Sequence, residues 1–428
     1  MGNKRPLPDA SGDSKSPIAS HCPVGGSNNR CEFSSAKQRP GSHSGKKQGT
    51  LDRVLGLKPL PSYFVLSSLP VIAPAVQADV ATGSSIGSSA RPDGFCADCP
   101  STYSAKWVDS PTRTAGADAR AGWRAEVTIG GRHVSLLLQD GTAGGCASAR
   151  GEELIGHEHW PPPGCTNVSL LKSLLQKAVR RRNKRAATWA AFSLLQLDPT
   201  ALLRRLPIIM LEDTVLHESL PAIVWMMAAH SKGWQLGRGH AVWLLNVAAT
   251  LCDIPAWDIP GSDTEVMTDS QVIQRWRGLE PQCSLLLSLK ARLAFGGMAC
   301  DLSMLRWQVN KWSRMFGDGG LCHSRLPIAL HIQHLPVPPL PLNAWILAAC
   351  DFHCSNIVER FLAEHPGAVN GPDELQSLMW KLSSSVNPRE AAFGASKPRH
   401  REDQRLKWQA IQSRVYKVAR AIVQRNLR

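Results

Sequence analysis

The sequence predicts a mainly α protein: a multi-helix orthogonal bundle with a small β-hairpin cap, preceded by a disordered N-terminal tail. Three observations lead there. Apolar residues recur at three- and four-residue spacing through Thr166 to Cys252, the period of an amphipathic helix. The stretch Trp123 to Gln139 alternates apolar and polar residues around Gly130-Gly131, the mark of a two-residue hairpin. Residues 1–90 are rich in Ser, Gly, Pro and Lys and carry no period, so they bury too little apolar surface to offset the entropy of ordering. At 428 residues and 43% hydrophobic content the chain holds one large or two ordinary domains. The expected division is a tail over 1–90, a cysteine-containing segment with the hairpin over 91–165, a helical domain over 166–386 and a basic amphipathic helix over 387–428.

The first helix starts at Thr166 or Asn167, both good caps, and runs to about Arg182. Leu171, Leu174, Leu175 and Ala178 make its apolar face. Lys172, Gln176, Arg180 and Lys184 form a row opposite, flanked by Lys177, Arg181 and Arg185. Such a face suits phosphate groups or an acidic protein surface, and equally a simple solvated stripe. A second helix over Ala186–Leu197 turns Trp189, Phe192 and Leu195 inward. Asp198-Pro199 stops it and starts a third, in which Pro207 predicts a break or kink. Arg204-Arg205 and Glu212-Asp213 are expected to pair with one another. Ser219 and Pro221 open a fourth helix ending at Gly233, and a fifth covers about Gly239 to Cys252. His217, His230 and His240 read as hydrogen-bonded packing residues.

Helical patterns resume in SQVIQRWRGL and SLLLSLKARLAF, and Gly296-Gly297 predicts a tight approach between two helices. Leu335–Leu342 is a proline-rich connector. Farther on, Cys350, His353 and Cys354 share one helix face beside Asp351; the set reads as a core face with one hydrogen-bonded histidine or as part of a metal site. Adjacent residues on a helix diverge by about 100°, so Cys354 and His353 make no dyad. From Asn387 the chain is strongly basic. Arg405, Lys407, Arg414 and Lys417 surround Ile411, Val415 and Val418, and Trp408 is placed to stack on a base.

Twelve cysteines without an apolar N-terminal signal core predict reduced thiols in the nucleus or cytosol. Cys96 and Cys99 form a C-x-x-C, with Cys146, His157, His159 and Cys165 as further ligands if zinc is bound; unliganded thiols are the other reading. The apolar run Tyr63 to Val80 is broken by Pro70 and Pro74, so no membrane partner is expected. A net charge of +15 favours polyanionic partners.

Two resemblances sharpen this. The pattern LLQKAVRRRNKRAATWAAFSLL…DPTALLRRLPIIMLED, within Leu171–Asp213, resembles the helical region that follows the ATPase core in clamp loaders and RarA-type AAA proteins. No G-x-x-x-x-G-K-[ST] phosphate loop exists in the chain, so an ATPase is excluded and no nucleotide cofactor is expected. The resemblance implies a helical, collar-like scaffold near nucleic acid. Upstream, GKKQGTLDRVLGLKP over Gly45–Pro59 is similar to the peptide that docks on sliding clamps of the PCNA type. Gln48, Leu51, Val54 and Leu55 take the contact positions, with Val54-Leu55 in place of the usual aromatic pair. Together these imply a non-enzymatic nuclear DNA-associated protein of replication or repair. Its nucleic-acid residues would be Lys172, Lys177, Arg180, Arg181, Arg182, Lys184, Arg185, Arg405, Lys407, Trp408, Arg414 and Lys417. The alternatives are a helical adaptor whose basic faces bind acidic partners, and a metal-dependent enzyme using Asp351, His353 and Cys354 or the Cys96 cluster.

Overall fold

The computed structural model describes residues 62–69, 102–109, 121–139, 165–258, 261, 263, 266–276, 279–317, 354–384, 387–389 and 402–426. It is mainly α. The helices are α1 (Val168–Arg180), α2 (Lys184–Leu197), α3 (Pro199–Asp213), α4 (Leu220–His230), α5 (Arg238–Asp253), α6 (Asp269–Trp276), α7 (Gln282–Ala294), α8 (Ala299–Gly317), α9 (Cys354–Glu364), α10 (Pro372–Met379) and α11 (Glu402–Asn426). The strands are β1 (Tyr63–Leu69), β2 (Thr102–Val108), β3 (Ala121–Ile129) and β4 (Arg132–Gln139). The expected tail residues before position 62 lie outside the described residues.

The hairpin forms in the expected register, with Ala125 opposite Leu136 and Val127 opposite Val134. Gly130 and Gly131 adopt φ of 58° and 81°, the left-handed pair that a tight hairpin turn with native twist requires. The cap is larger than a hairpin. Sheet order is β2-β1-β4-β3, and β1 pairs antiparallel with β2 and parallel with β4. By composition residues 63–69 belong to the tail, yet Phe64 and Leu66 are fully buried at the centre of the sheet. The polar neighbourhood hid a short strand that a distant surface completes. In β2 the buried Tyr103, Ala105 and Trp107 alternate with exposed Ser104 and Lys106, a period of two that was legible in the sequence.

That distant surface is α4. Ten of its residues in a row, Leu220 to Ala229, are buried, as expected for a helix apolar all round and enclosed on every side. The indole N–H of Trp225 donates to the Phe64 carbonyl at 2.7 Å, fixing β1 on the helix. Trp107 stacks on Phe64 with centroids 4.3 Å apart, and its backbone N–H and indole N–H donate to Ser284 and Ser288 of α7 at 2.9 and 3.2 Å.

Caps form where the sequence places them at Asn167 and Asp198, and also at Asn183. Asn167, Asn183 and Asp198 accept from Leu170, Ala186 and Ala201 N–H groups, opening α1, α2 and α3. Pro207 neither breaks nor ends α3, which runs on to Asp213 with Leu206 to Leu211 buried; packing on both sides outweighs the one hydrogen bond that proline forgoes. Gly296 and Gly297 also depart from expectation. A side chain at Gly296 would meet nothing within 4 Å, so this pair supplies positive φ, +73° and +154°, rather than close helix approach.

The C-terminal helices build a second core. Phe361 of α9, Leu375 and Met379 of α10, and Trp408, Ile411, Val415 and Val418 of α11 form one buried cluster, distinct from the large cluster of sheet and α1–α8.

The histidines pack. His217 Nδ1 lies 2.8 Å from the Ser219 hydroxyl, and His230 Nδ1 donates to the Trp234 carbonyl at 2.9 Å. His240 is stacked on Tyr103 at 4.5 Å and set edge-on to Trp234 at 4.8 Å, and its Nδ1 accepts the Gly237 N–H. Burial pushes its pKa down to about 3. The unfolded chain therefore takes up a proton near the ordinary value of 6.5 while the folded chain does not, so stability falls as pH drops below that value. The expected slope from this group rises to about 1.4 kcal/mol per pH unit as pH approaches 5. Urea unfolding between pH 7 and pH 5 checks it, with the slope reduced by that amount in His240→Gln.

Candidate functional site

Most of the first helix's cations are engaged inside the protein. α1 packs against α2, α3 and α5, so Gln176 and Lys177 are buried although their spacing placed them on the outer face. Arg180 reaches Glu212 with Nη2–Oε1 at 3.1 Å and bonds Asp213 through Nε. The carboxylate pair thus takes Arg180, not Arg204-Arg205. Arg205 instead faces Asp301 at 3.8 Å and donates to Gln176. Arg204 donates to the Phe295 carbonyl at 3.0 Å. Burial pushes the Glu212 and Asp213 carboxyls up, and Arg180 pulls both back. Lys177 and Arg180 are therefore corrected as nucleic-acid residues: the helix wheel shows one apolar face, but three neighbours surround this helix.

The cations at the α1–α2 turn are placed differently. Arg182 adopts φ of 60°, and its side chain reaches the Cys252 carbonyl at 3.2 Å while remaining exposed. Lys184 pairs with Asp253 at 2.6 Å, both side chains about half exposed at 43% and 51%. Arg185 is exposed and Lys172 half-buried. Arg181 donates to the Ser383 carbonyl at 2.7 Å, in the five-residue π-helical turn Trp380–Ser384 that ends α10. The Ser383 hydroxyl lies 3.0 Å from the Tyr416 hydroxyl of α11. This relay sets the α1–α2 turn beside the middle of α11.

On α11, Trp408 is buried at 6% and meets Tyr416 edge-on at 6.1 Å. It holds the second core, which corrects its reading as a base-stacking residue. Arg405, Lys407 and Lys417 are exposed and Arg414 is half-buried. Lys407 pairs with Glu374 at 2.6 Å, and Arg414 donates to the Ala410 carbonyl of its own helix.

The residue that sequence reasoning missed is Arg389. It is 2% exposed. Its guanidinium donates to the carbonyls of Val179 at 3.0 Å, Arg180 at 3.1 Å, Leu251 at 2.7 Å, Cys252 at 3.2 Å and Ile254 at 2.6 Å. Four of these are end-of-helix carbonyls of α1 and α5, which have no partner within their own helix, and Ile254 is the residue that follows α5. Asn387 donates to the Asp213 carbonyl at the end of α3, 3.1 Å away. Three helix ends meet one short segment. Burial pulls the Arg389 pKa down, and nearby Arg182 adds to the pull, but arginine starts high enough to stay charged.

The zinc reading rests on residues outside those described. Cys96, Cys99, Cys146, His157 and His159 lie there, as do Asp351 and His353 and the clamp peptide Gln48, Leu51, Val54 and Leu55. Cys165 is described and buried, its thiol 4.0 Å from the Asn167 carbonyl. Among the described residues no group of three or more His, Cys, Asp or Glu side chains is arranged to hold a metal ion. No described helix is long and apolar enough to cross a membrane. No family model, curated protein or solved structure matches this chain.

Arg389→Met removes a donor from five carbonyls; Val179 and Cys252 keep a second one from Arg182, so those of Arg180, Leu251 and Ile254 lose theirs in an apolar setting. Unsatisfied buried acceptors cost about 1–3 kcal/mol each and are not additive, so the expected loss is about 3 kcal/mol or more in urea unfolding. A loss below about 1 kcal/mol would show that water reaches these helix ends.

Proposed function

We propose that the protein is a non-enzymatic nuclear scaffold associated with DNA in replication or repair. Gln48, Leu51, Val54 and Leu55 recruit it to a PCNA-type sliding clamp. Phosphates are held by the α1–α2 turn together with α11. The observation that carries the reading is the Arg181–Ser383–Tyr416 relay. It sets the turn that carries Arg182, Lys184 and Arg185 beside Tyr416 of α11, which supports reading two basic stretches far apart in sequence as one surface. The collar-like resemblance of Leu171–Asp213 and the net charge of +15 support the same reading. With the buried cations subtracted, the surface rests on Arg182, Lys184, Arg185 and Lys417, with Lys172, Arg405, Lys407 and Arg414 around it.

Binding of this kind is dominated by counterion release. If four cations engage phosphates, log K against log salt falls with a slope of about −3.6 on duplex DNA. Anisotropy of a short labelled duplex, titrated over a salt series, measures it. The triple reversal Arg182→Glu, Arg185→Glu, Lys417→Glu is expected to weaken binding more than tenfold, while Arg124→Glu on the far-off strand β3 changes it little. Equal effects of the two would reduce the interaction to net charge alone.

Recruitment is tested separately by calorimetry of the Lys46–Pro59 peptide against a sliding clamp. Micromolar binding that Leu51→Ala abolishes is expected; a silent titration removes the clamp from the proposal.

Leu406 favours a second reading. This residue is 58% exposed on α11 between Arg405 and Lys407, a combination suited to an acidic, partly apolar protein segment. Capture of proteins that persists after nuclease treatment and fails in Leu406→Ser would put the adaptor first.

A further inference from the structure

β3 forms one edge of the sheet, and among the described residues only β4 pairs with it. The opposite edge is met by a helix: the Trp107 N–H of β2 donates to the Ser284 hydroxyl of α7. Which β3 groups face outward follows from the register. The Ser135 N–H of β4 donates to the Ser62 carbonyl at 2.8 Å, on the β1 side. Glu126 stands opposite Ser135, so these two exchange no hydrogen bonds, and the Glu126 N–H and carbonyl point away from β4. Alternation along the strand turns those of Arg124 and Thr128 the same way. The edge therefore presents a row of backbone donors and acceptors, a template for another strand.

Natural edges are blunted by lysine, proline, bulges or charge. β3 reads Ala-Gly-Trp-Arg-Ala-Glu-Val-Thr-Ile over nine residues and has neither lysine nor proline. Its bulge lies at the very start, between Ala121 and Trp123. The charges are the informative part. Arg124 and Glu126 flank Ala125 on one face, 60% and 56% exposed, and pair with each other at 3.0 Å. One sign repeated along an edge repels a copy of itself, but here the sign reverses about Ala125.

We propose that β3 pairs antiparallel with β3 of a second copy, across a two-fold axis at Ala125, joining two four-stranded sheets into one. In this register Arg124 faces Glu126 of the partner subunit, and Glu126 faces Arg124 of the partner subunit. Both positions turn their backbone groups outward, so each such pair exchanges both N–H···O bonds. Ala125 meets its own copy between them, at a non-hydrogen-bonded position where a small side chain suits the close approach. On the helix-facing side the half-buried Trp123 meets Val127 of the partner subunit, an aromatic and β-branched pair. Moving the axis by one residue either way sets Glu126 on Glu126 or Arg124 on Arg124, so charge selects this register. The interface is short, which makes the dimer weak, forming at micromolar concentration and above. The phosphate-binding reading uses residues of one copy and does not depend on it.

The test uses the full chain, by sedimentation velocity over a concentration series and by hydrogen exchange of β3. A concentration-dependent dimer is expected, with exchange of β3 slowing in step. Arg124→Glu and Glu126→Arg each set like charges opposite one another and should weaken the dimer about tenfold or more. Mixing the two single variants should restore association, because each supplies the charge that the other lacks. Both substitutions in one chain should restore the homodimer. The two side chains are more than half exposed, so these variants keep the fold. A chain that stays monomeric overturns the proposal, as does a dimer indifferent to both reversals. Protection of β3 that is independent of concentration also overturns it, by assigning the edge to another segment of the same chain.

Discussion

A buried guanidinium without a carboxylate partner holds the ends of the principal helices together. Each helix C-terminus carries a partial negative charge of roughly half a unit, so the two ends that Arg389 touches supply about one unit against its one positive charge. The pairing is therefore electrostatically closed without an acid. It also satisfies carbonyls that α1 and α5 cannot satisfy for themselves. Asn387 adds the end of α3 to the same point, and Arg181 ties the π-helical turn after α10 to α1. The C-terminal helices thus have their own core yet are fastened to the larger body by polar bonds drawn mainly from helix ends.

The helical fold was legible because helix caps and apolar spacing are local. Asn167 and Asp198 cap where expected, and the hairpin forms on its glycine pair. What escaped was set by partners far along the chain. The strand Tyr63–Leu69 looks like part of a polar tail until Trp225 and β4 meet it. Arg389 sits in an Asn-Pro-Arg-Glu run that reads as the start of a basic tail, and nothing nearby announces that two helix ends converge on it and a third on Asn387. Proline within α3 misled for a related reason: the local penalty is real, but buried neighbours decide.

The candidate surface was legible only as a composition. The sequence marks which residues are basic, and their number on α1 suggested a broad cationic face. Packing then divides them. Arg180 pairs with both Glu212 and the buried Asp213, Arg205 faces Asp301, and Lys177 lies within the core. Those that remain outside cluster at the α1–α2 turn, where a residue with positive φ reverses the chain, and along α11. A charge count overstates the surface for partners by the cations that the fold consumes internally.

The sheet order carries a consequence for how the chain is made. β1 leaves the ribosome before any other described strand, yet it lies between β2 and β4 and rests on a helix whose Trp225 is 161 positions later. Its parallel partner and its platform must both be synthesised before its hydrogen bonds and its apolar side chains find a place. Such non-local closure is slow compared with the helices that follow. The emerging Phe-Val-Leu run therefore waits in solvent as an unpaired strand until β4 and Trp225 of α4 have been made.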